Sequence, residues 1–312
     1  AGIADFDRQW VKQAGIALDA YGIQLLAVPQ IASLQQRLSQ GGMSEVDRFR
    51  AAMTLYENYL HGRIAADSLV QTMLRAVERE DNPLVATSLV GYATSVLPYA
   101  SDRGVGECKL LDLSRHHSLR GVRTSSLRYL STSAQSEAVL DSMFVEWQQG
   151  DNPLLTVNDW MRAAQYLPSK RQEILSRQRA RLTTDDARSE FDFVSRGCDT
   201  TPAVQDSLFA SLLLVENRRV EPWAAQLLSL LNDPISEPHN NRFLLPALDA
   251  LEEVQRTSAI FFPGDWLAAL LSHHRSEEAR ALVSGWITRH PDYPTPLMNK
   301  VKQNAYRLLL GR

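Results

Sequence analysis

The stretch SEVDRFRAAMTLYENYL, residues 44–60, has the apolar spacing that decides the fold class. Its apolar residues recur at steps of three and four, which places them on one face of a helix: Val46, Phe49, Ala52, Met53, Tyr56 and Leu60. Most of its charged residues fall on the opposite face. The stretch therefore predicts an amphipathic helix that packs through this apolar face.

Helix start signals repeat along the rest of the chain. A capping residue followed by a first-turn proline occurs three times, at Asn82-Pro83, Asn152-Pro153 and Thr201-Pro202. Capping-box spacing occurs three times as well, in Ser44 with Asp47, Ser169 with Gln172, and Thr183 with Asp186. Long alternating strands are missing, and the connectors are short. These signals predict an all-α chain with on the order of 15 helices of about 12 to 18 residues.

The predicted architecture is an α-solenoid of irregular HEAT/armadillo-like helical hairpins. Short connectors pair successive helices as antiparallel neighbours, and such pairs must stack to bury their apolar faces. No strict repeat period emerges, because the only shared phrase, DNPL at 81–84 and at 151–154, amounts to a recurring cap. Consensus tetratricopeptide and ankyrin repeats are therefore not indicated.

Composition and charge exclude several functional classes. The chain has 312 residues, of which 44% are hydrophobic and 22% charged, with a formal net charge of -3. This balance is typical of a folded protein and supplies no general attraction to nucleic acid or to an anionic membrane. No apolar run reaches the roughly 20 residues that span a bilayer. Cys108 and Cys198 form no metal or redox motif, and two lone thiols favour a reducing compartment such as the cytoplasm.

The histidine pair in LSHHRSEEARAL, residues 271–282, invites a metal-site interpretation. A helical zinc motif needs two histidines four residues apart, whereas His273 and His274 are adjacent and diverge by roughly 100° on a helix. The spacing instead favours the end of one helix and the start of the next, with Ser276 as the cap and Glu277 in the first turn. No nucleophile elbow or phosphate-binding loop occurs either, so no catalytic or metal residue is predicted.

Two basic segments are candidates for binding. The helix in residues 169–182 carries five Lys or Arg residues but no interleaved aromatics, which favours a solvated face over nucleic-acid binding. The second segment, VENRRVEPW at 215–223, joins Asn217, Arg218, Arg219 and Trp223 at a junction between helices. Its arginines either receive a ligand carboxylate or tie adjacent hairpins together, and the residues alone leave both alternatives open.

Several long phrases resemble the C-terminal helical domain of bacterial members of the aminopeptidase N family of zinc metallopeptidases. They are YLPSKRQEILSRQRARLTTDDARSEFDFVS (166–195), ENRRVEPW (216–223), FLLPALDALEEVQRTSAIFFPGDWLAALL (243–271) and HPDYPTPLMNKVKQNAYRLL (290–309). The resemblance runs from about residue 21 to the end. It implies one helical-repeat domain over 21–312, curved into a superhelical bowl that covers the active site of a separate catalytic domain. Residues 1–20 then form a lead-in whose FDRQWVKQAGIA resembles the catalytic domain's tail.

The family's zinc and substrate-amine motifs are absent, so the resemblance implies no catalytic or metal residue and no cofactor in this chain, with zinc in the missing catalytic domain. The partners it implies are that domain and the peptide substrate, with no nucleic acid and no membrane. The candidate peptide-facing residues are Asn217, Arg218, Arg219, Trp223, Arg242 and Arg256. A second hypothesis is a free-standing α-solenoid scaffold that binds another protein along its inner surface.

Overall fold

A computed structural model describes residues 24–150 and 155–311 of the chain. Over these ranges it contains 18 α-helices and no strand, which confirms the all-α prediction. The predicted lead-in over residues 1–20 and the Asn152-Pro153 cap lie outside the described residues. Contacts divide the chain into two compact units, the first ending at residue 154 and the second beginning at residue 155.

The first unit contains seven α-helices among its described residues. They are α1 (Val28–Gln40), α2 (Glu45–Leu60), α3 (Ala66–Val77), α4 (Pro83–Val96), α5 (Arg103–His116), α6 (Arg120–Ser133) and α7 (Glu137–Gln149). A 3-10 turn, Leu97–Tyr99, joins α4 to α5.

Packing in the first unit follows one rule from start to end. Each helix from α1 to α5 contacts the second helix after it, so that α1 packs on α3, α2 on α4, and so on to α5 on α7. Most helices also pack on their immediate successor. This is the pattern of stacked helical hairpins, in which each pair of helices buries the apolar face of the preceding pair.

The second unit contains the remaining eleven α-helices of the described chain. They are α8 (Val157–Tyr166), α9 (Arg171–Ala180), α10 (Asp185–Val194), α11 (Pro202–Leu212), α12 (Glu221–Leu231), α13 (Asn241–Asp249), α14 (Leu251–Thr257), α15 (Phe262–Leu271), α16 (Glu277–Arg289), α17 (Thr295–Asn304) and α18 (Tyr306–Leu310). Short 3-10 turns lie at Ser195–Cys198, Val215–Arg218 and Pro234–Ser236.

A continuous apolar core runs through α11 to α18 of the second unit. Two fully buried tryptophans lie in it, and each indole satisfies its N–H: Trp266 donates to the carbonyl of Ala247 at 3.1 Å, and Trp286 to Asp249 Oδ1 at 2.7 Å. A buried indole without such an acceptor would lose a hydrogen bond to water on folding. The aromatic side chains therefore fill the core and also fix neighbouring helices to each other.

The predicted helix starts are partly confirmed. Ser44 Oγ accepts from the backbone N of Asp47 at 3.2 Å, and Asn82 Oδ1 accepts from the first turn of α4. Thr201 precedes α11, but its side chain makes no capping bond. Two predictions are wrong: Lys170 rather than Ser169 precedes α9, and Thr184 rather than Thr183 caps α10. The spacing alone did not distinguish between adjacent polar residues.

The buried face of α2 differs from the predicted one. Val46 and Phe49 are exposed, while Asn58 on α2 is fully buried. Its side chain accepts from the backbone N of Leu26 at 2.9 Å and donates to the carbonyls of Gln24 and Thr54, both at 2.8 Å. These bonds pair backbone groups of the extended segment before α1, and they offset the cost of burying the Asn58 amide. The apolar spacing did not include Asn58 in the predicted buried face.

The stacked hairpins agree with the predicted helical class. The predicted curved bowl and the single domain over 21–312 describe both units together, and both stay predictions. In residues 24–150 and 155–311, no helix is long and apolar enough to cross a bilayer.

Candidate peptide-facing site

The predicted cluster lies in the loop between α11 and α12. This loop makes a 3-10 turn, Val215–Arg218, directly after Leu214. Asn217 Nδ2 donates to both the carbonyl and the hydroxyl oxygen of Ser211, each at 3.1 Å. Asn217 therefore fastens the turn to the end of α11.

Arg218 is a buried link between two helix junctions. Its side chain is 1% exposed, and its Nη1 donates to the carbonyl of Leu212 at 2.7 Å. Nη2 forms an ion pair with Glu253 on α14, and the guanidinium carbon lies 5.6 Å from the ring centroid of Trp266. Because Leu212 and Glu253 already use these nitrogens, a ligand carboxylate would have to displace Glu253. The contacts of Arg218 are those of the hairpin-tying alternative.

Arg219 and Arg256 differ from Arg218 in being exposed. Arg219 is the residue after the 3-10 turn, and Arg256 lies one helical turn beyond Glu253 on α14. Within the part of the chain that the structure describes, neither has a recorded ion-pair partner. The ion pair of buried Arg218 with Glu253 thus lies near two cations that are accessible to an acidic ligand.

Exposed apolar side chains accompany these arginines, and the sequence analysis did not select them. The backbone N of Ala259 donates to Glu221 Oε1 at 2.7 Å, which joins the loop before α15 to the start of α12. Val220, Ile260 and Phe261 lie beside this bond and are 44%, 71% and 80% exposed. The sequence signal for this exposed patch was the apolar run IFF directly before Pro263. A turn that only faces solvent does not need so many consecutive apolar residues.

Trp223 and Arg242 have their own partners. The half-buried ring of Trp223 packs against Phe193 with centroids 6.0 Å apart. Arg242 Nη1 lies 3.2 Å from Asp206 Oδ2 near the start of α11, and the same carboxylate bonds His239 at 2.9 Å. The structure therefore places Asn217 and Arg218 in one turn, and Arg218 pairs with Glu253 on the helix that also carries Arg256. It places Arg242 in a separate ion pair. A peptide-facing role for the six residues stays a prediction.

The adjacent histidines end one helix and precede the next, as predicted. The helix α15 ends at Leu271, and Ser276 Oγ accepts from the backbone N of Ala279 at 3.2 Å to start α16. His274 is buried, with Nδ1 3.1 Å from Asn241 Oδ1 and Nε2 3.0 Å from Asn232 Oδ1. This ring connects the end of α12 to the starts of α13 and α16.

His273 has a different environment. Desolvation lowers the pKa of His273 to about 4, against the opposing effect of Asp233 and with a smaller lowering by Arg162. The ring therefore stays neutral at neutral pH. Among residues 24–150 and 155–311, no three His, Cys, Asp or Glu side chains come together as a metal-binding group.

The basic helix and the cysteine, which the sequence analysis also considered, make contacts within the fold. On the basic helix, Arg179 forms a two-bond pair with Asp192 of α10, both bonds at 2.7 Å, and Arg171 lies 3.5 Å from Asp199. Cys198 is buried, its Sγ lies 3.2 Å from the Met161 carbonyl, and burial raises the pKa of its thiol to about 12. A thiol that stays protonated at neutral pH is a poor nucleophile.

Comparisons with known proteins add no assignment. No protein-family model matches the chain, and no curated protein matches it.

Proposed function

We propose that this chain is a non-catalytic helical domain of a zinc aminopeptidase, which covers the active site of the parent enzyme and helps to gate and bind its peptide substrate. The observation that carries the proposal is the string of four phrases between residues 166 and 309 that resembles the family's C-terminal domain. The all-helical fold agrees with that resemblance. The expected partners are the catalytic domain, which supplies the zinc, and the peptide.

Arg219 and Arg256 are the residues best suited to receive the peptide. Both are exposed cations on short segments that the buried Arg218–Glu253 pair holds in place. Exposed guanidinium groups recognise carboxylates through paired hydrogen bonds. Arg218 contributes by positioning these segments, since its Nη1 and Nη2 are already bonded to Leu212 and Glu253.

Such a site would make the rate of hydrolysis depend on the length of the peptide. A carboxylate or acidic side chain on the distal part of a peptide reaches the arginines only when the peptide is long enough. A single-residue amide lacks that distal part and gains nothing from them. Binding energy at a remote site then raises kcat/KM for long substrates selectively.

The test uses the catalytic domain of the parent enzyme together with this chain. We expect Arg219→Ala or Arg256→Ala to lower kcat/KM about tenfold on long acidic peptides, as lost charge-assisted hydrogen bonds would, and to leave single-residue amides unchanged. Arg79→Ala, at an exposed arginine of the first unit, is the matched control. Equal losses on both substrate classes would contradict the proposal. Capture of a stable partner that lacks any peptidase domain would favour the scaffold alternative.

A further inference from the structure

A groove of about 580 Å³ lies between α3 and α5 of the first unit. Contacts between the helices define both of its ends. At one end Asp67 accepts from Ser101 Oγ at 2.7 Å and from the backbone N of Asp102 at 3.1 Å. At the other end Lys109 forms an ion pair with Glu78. The volume falls in the range of binding sites for small ligands, so the groove has room for a few residues of a peptide.

The floor of the groove is apolar. Val70 and Leu74 line it from α3 and are each 4% exposed, while Val105 lines it from α5 and is 60% exposed. The exposed valine lies on the same groove as the two buried side chains. An occupant with aliphatic side chains would remove mainly Val105 from water, because Val70 and Leu74 are already buried.

The charges along the groove are unevenly distributed. The lining includes four carboxylates, Asp67, Asp102, Glu78 and Asp112, and two cations, Arg75 and Lys109. Lys109 is paired with Glu78. Arg75 lies eight residues along α3 from Asp67, which is about 12 Å on a helix. The end of the groove at Asp67 is therefore acidic.

Neither carboxylate at the acidic end has a cationic partner in the described part of the chain. Asp67 accepts from a hydroxyl and from backbone N–H groups, and Asp102 accepts from the backbone N of Val105 at 3.4 Å. For Asp67, the hydrogen bonds from Ser101 and from the backbone N of Asp102 hold the pKa below its ordinary value. The carboxylate of Asp67 therefore stays ionised at neutral pH, and no cationic side chain of the described residues pairs with it.

We propose that the groove binds an extended segment of another protein in which a lysine or arginine is followed by aliphatic residues. The cation lies between Asp67 and Asp102, and the aliphatic side chains cover Val70, Leu74 and Val105. Charge complementarity selects this occupant, because phosphates and acidic segments are repelled by the uncompensated carboxylates. The inference stands independently of the proposed aminopeptidase role, since it rests on the first unit alone.

The test is fluorescence anisotropy of labelled hexapeptides with the full chain. One peptide alternates lysine and leucine, a second replaces each lysine by glutamate, and a third replaces each leucine by serine. We expect saturable binding of the first, weakened at high salt, and at least tenfold weaker binding of the other two. Equal affinity for the glutamate peptide, or no saturation by the first at millimolar concentration, would overturn the proposal.

Matched variants locate the site. Val105→Lys adds a positive charge and removes apolar surface within the groove, and we expect at least tenfold loss of affinity. Val46→Lys makes the same change on α2 at a valine that is 58% exposed, close to the 60% of Val105, and should leave affinity unchanged. Both side chains are exposed, so both variants should fold. Equal effects of the two substitutions, or peptide-induced NMR shifts confined to residues outside α3 and α5, would refute the assignment.

Discussion

Acidification should destabilise the second unit through His273. Desolvation holds the pKa of this ring at about 4 in the folded protein, whereas the unfolded chain restores the ordinary value near 6.5. Between these two values the unfolded state binds the extra proton and the folded state does not. The contribution of His273 to stability is therefore complete above about pH 6.5 and is lost as the pH falls towards 4.

The size of the effect follows from the two pKa values. A difference of about 2.5 units corresponds to a total of about 3 kcal/mol, reached below pH 4. At pH 5 the unfolded ring is almost fully protonated and the folded ring almost fully neutral, so about 2 kcal/mol is already lost. The carboxylates whose pKa is lowered, such as Asp199 and Asp192, titrate below this window. The interval from pH 7 to pH 5 thus reports mainly on histidine.

Urea unfolding at pH 7 and pH 5, followed by tryptophan fluorescence, measures this loss. We expect the free energy of unfolding of the wild type to fall between these pH values by about 2 kcal/mol more than that of His273→Gln, which cannot titrate. Substitution of an exposed histidine, His61→Gln, should leave the wild-type pH dependence in place. Parallel pH profiles for the wild type and His273→Gln would refute the reasoning.

Three further predictions concern stability. Arg218→Ala should lower the free energy of unfolding by about 2 kcal/mol, because it removes a buried guanidinium that bonds the Leu212 carbonyl and pairs with Glu253, while Arg219→Ala should change it by less than about 0.5 kcal/mol in the same urea titration. Asn58→Ala should cost about 2 to 3 kcal/mol through three lost hydrogen bonds, and an unchanged thermal midpoint would contradict this. Gly197→Ala should cost about 1 to 2 kcal/mol by calorimetry, because a Cβ there would lie 2.8 Å from Leu227 Cδ1, and a neutral result would show that this contact relaxes.

The helical class could be predicted from the sequence because it depends on local signals. Apolar residues at steps of three and four, together with caps such as Ser44 and Asn82, act within one or two turns of chain. Stacking of neighbouring helices then follows from short connectors. Errors of one residue at Thr183 and Ser169 arose where two polar residues adjoin and the spacing cannot rank them.

Buried polar residues could not be predicted, because their partners are distant in sequence. Glu107 is fully buried, and its carboxylate accepts from the backbone N of Gln135 and Ser136 and from Arg103 Nε. Nothing near Glu107 in the sequence indicates that it stabilises the start of α7, some 30 residues away. Arg218 shows the same limitation, since its burial depends on Glu253 in another helix.

The sequence predicted the junction between helices at residues 215–223, and the structure has a 3-10 turn there, but the sequence did not show which of its side chains are buried. The run ENRR indicates a polar turn and gives no information on which arginine faces inward. In the structure, the 3-10 turn directs Arg218 into the core and leaves Arg219 exposed. The backbone conformation of that one turn decides which of the two adjacent arginines is accessible to a ligand.

The most direct test of the proposed function measures peptidase activity of the parent's catalytic domain on a ladder of peptide lengths, with and without this chain added. The account predicts that the chain changes the length preference and leaves hydrolysis of a single-residue amide unchanged. An identical length profile in the presence and absence of the chain would contradict it.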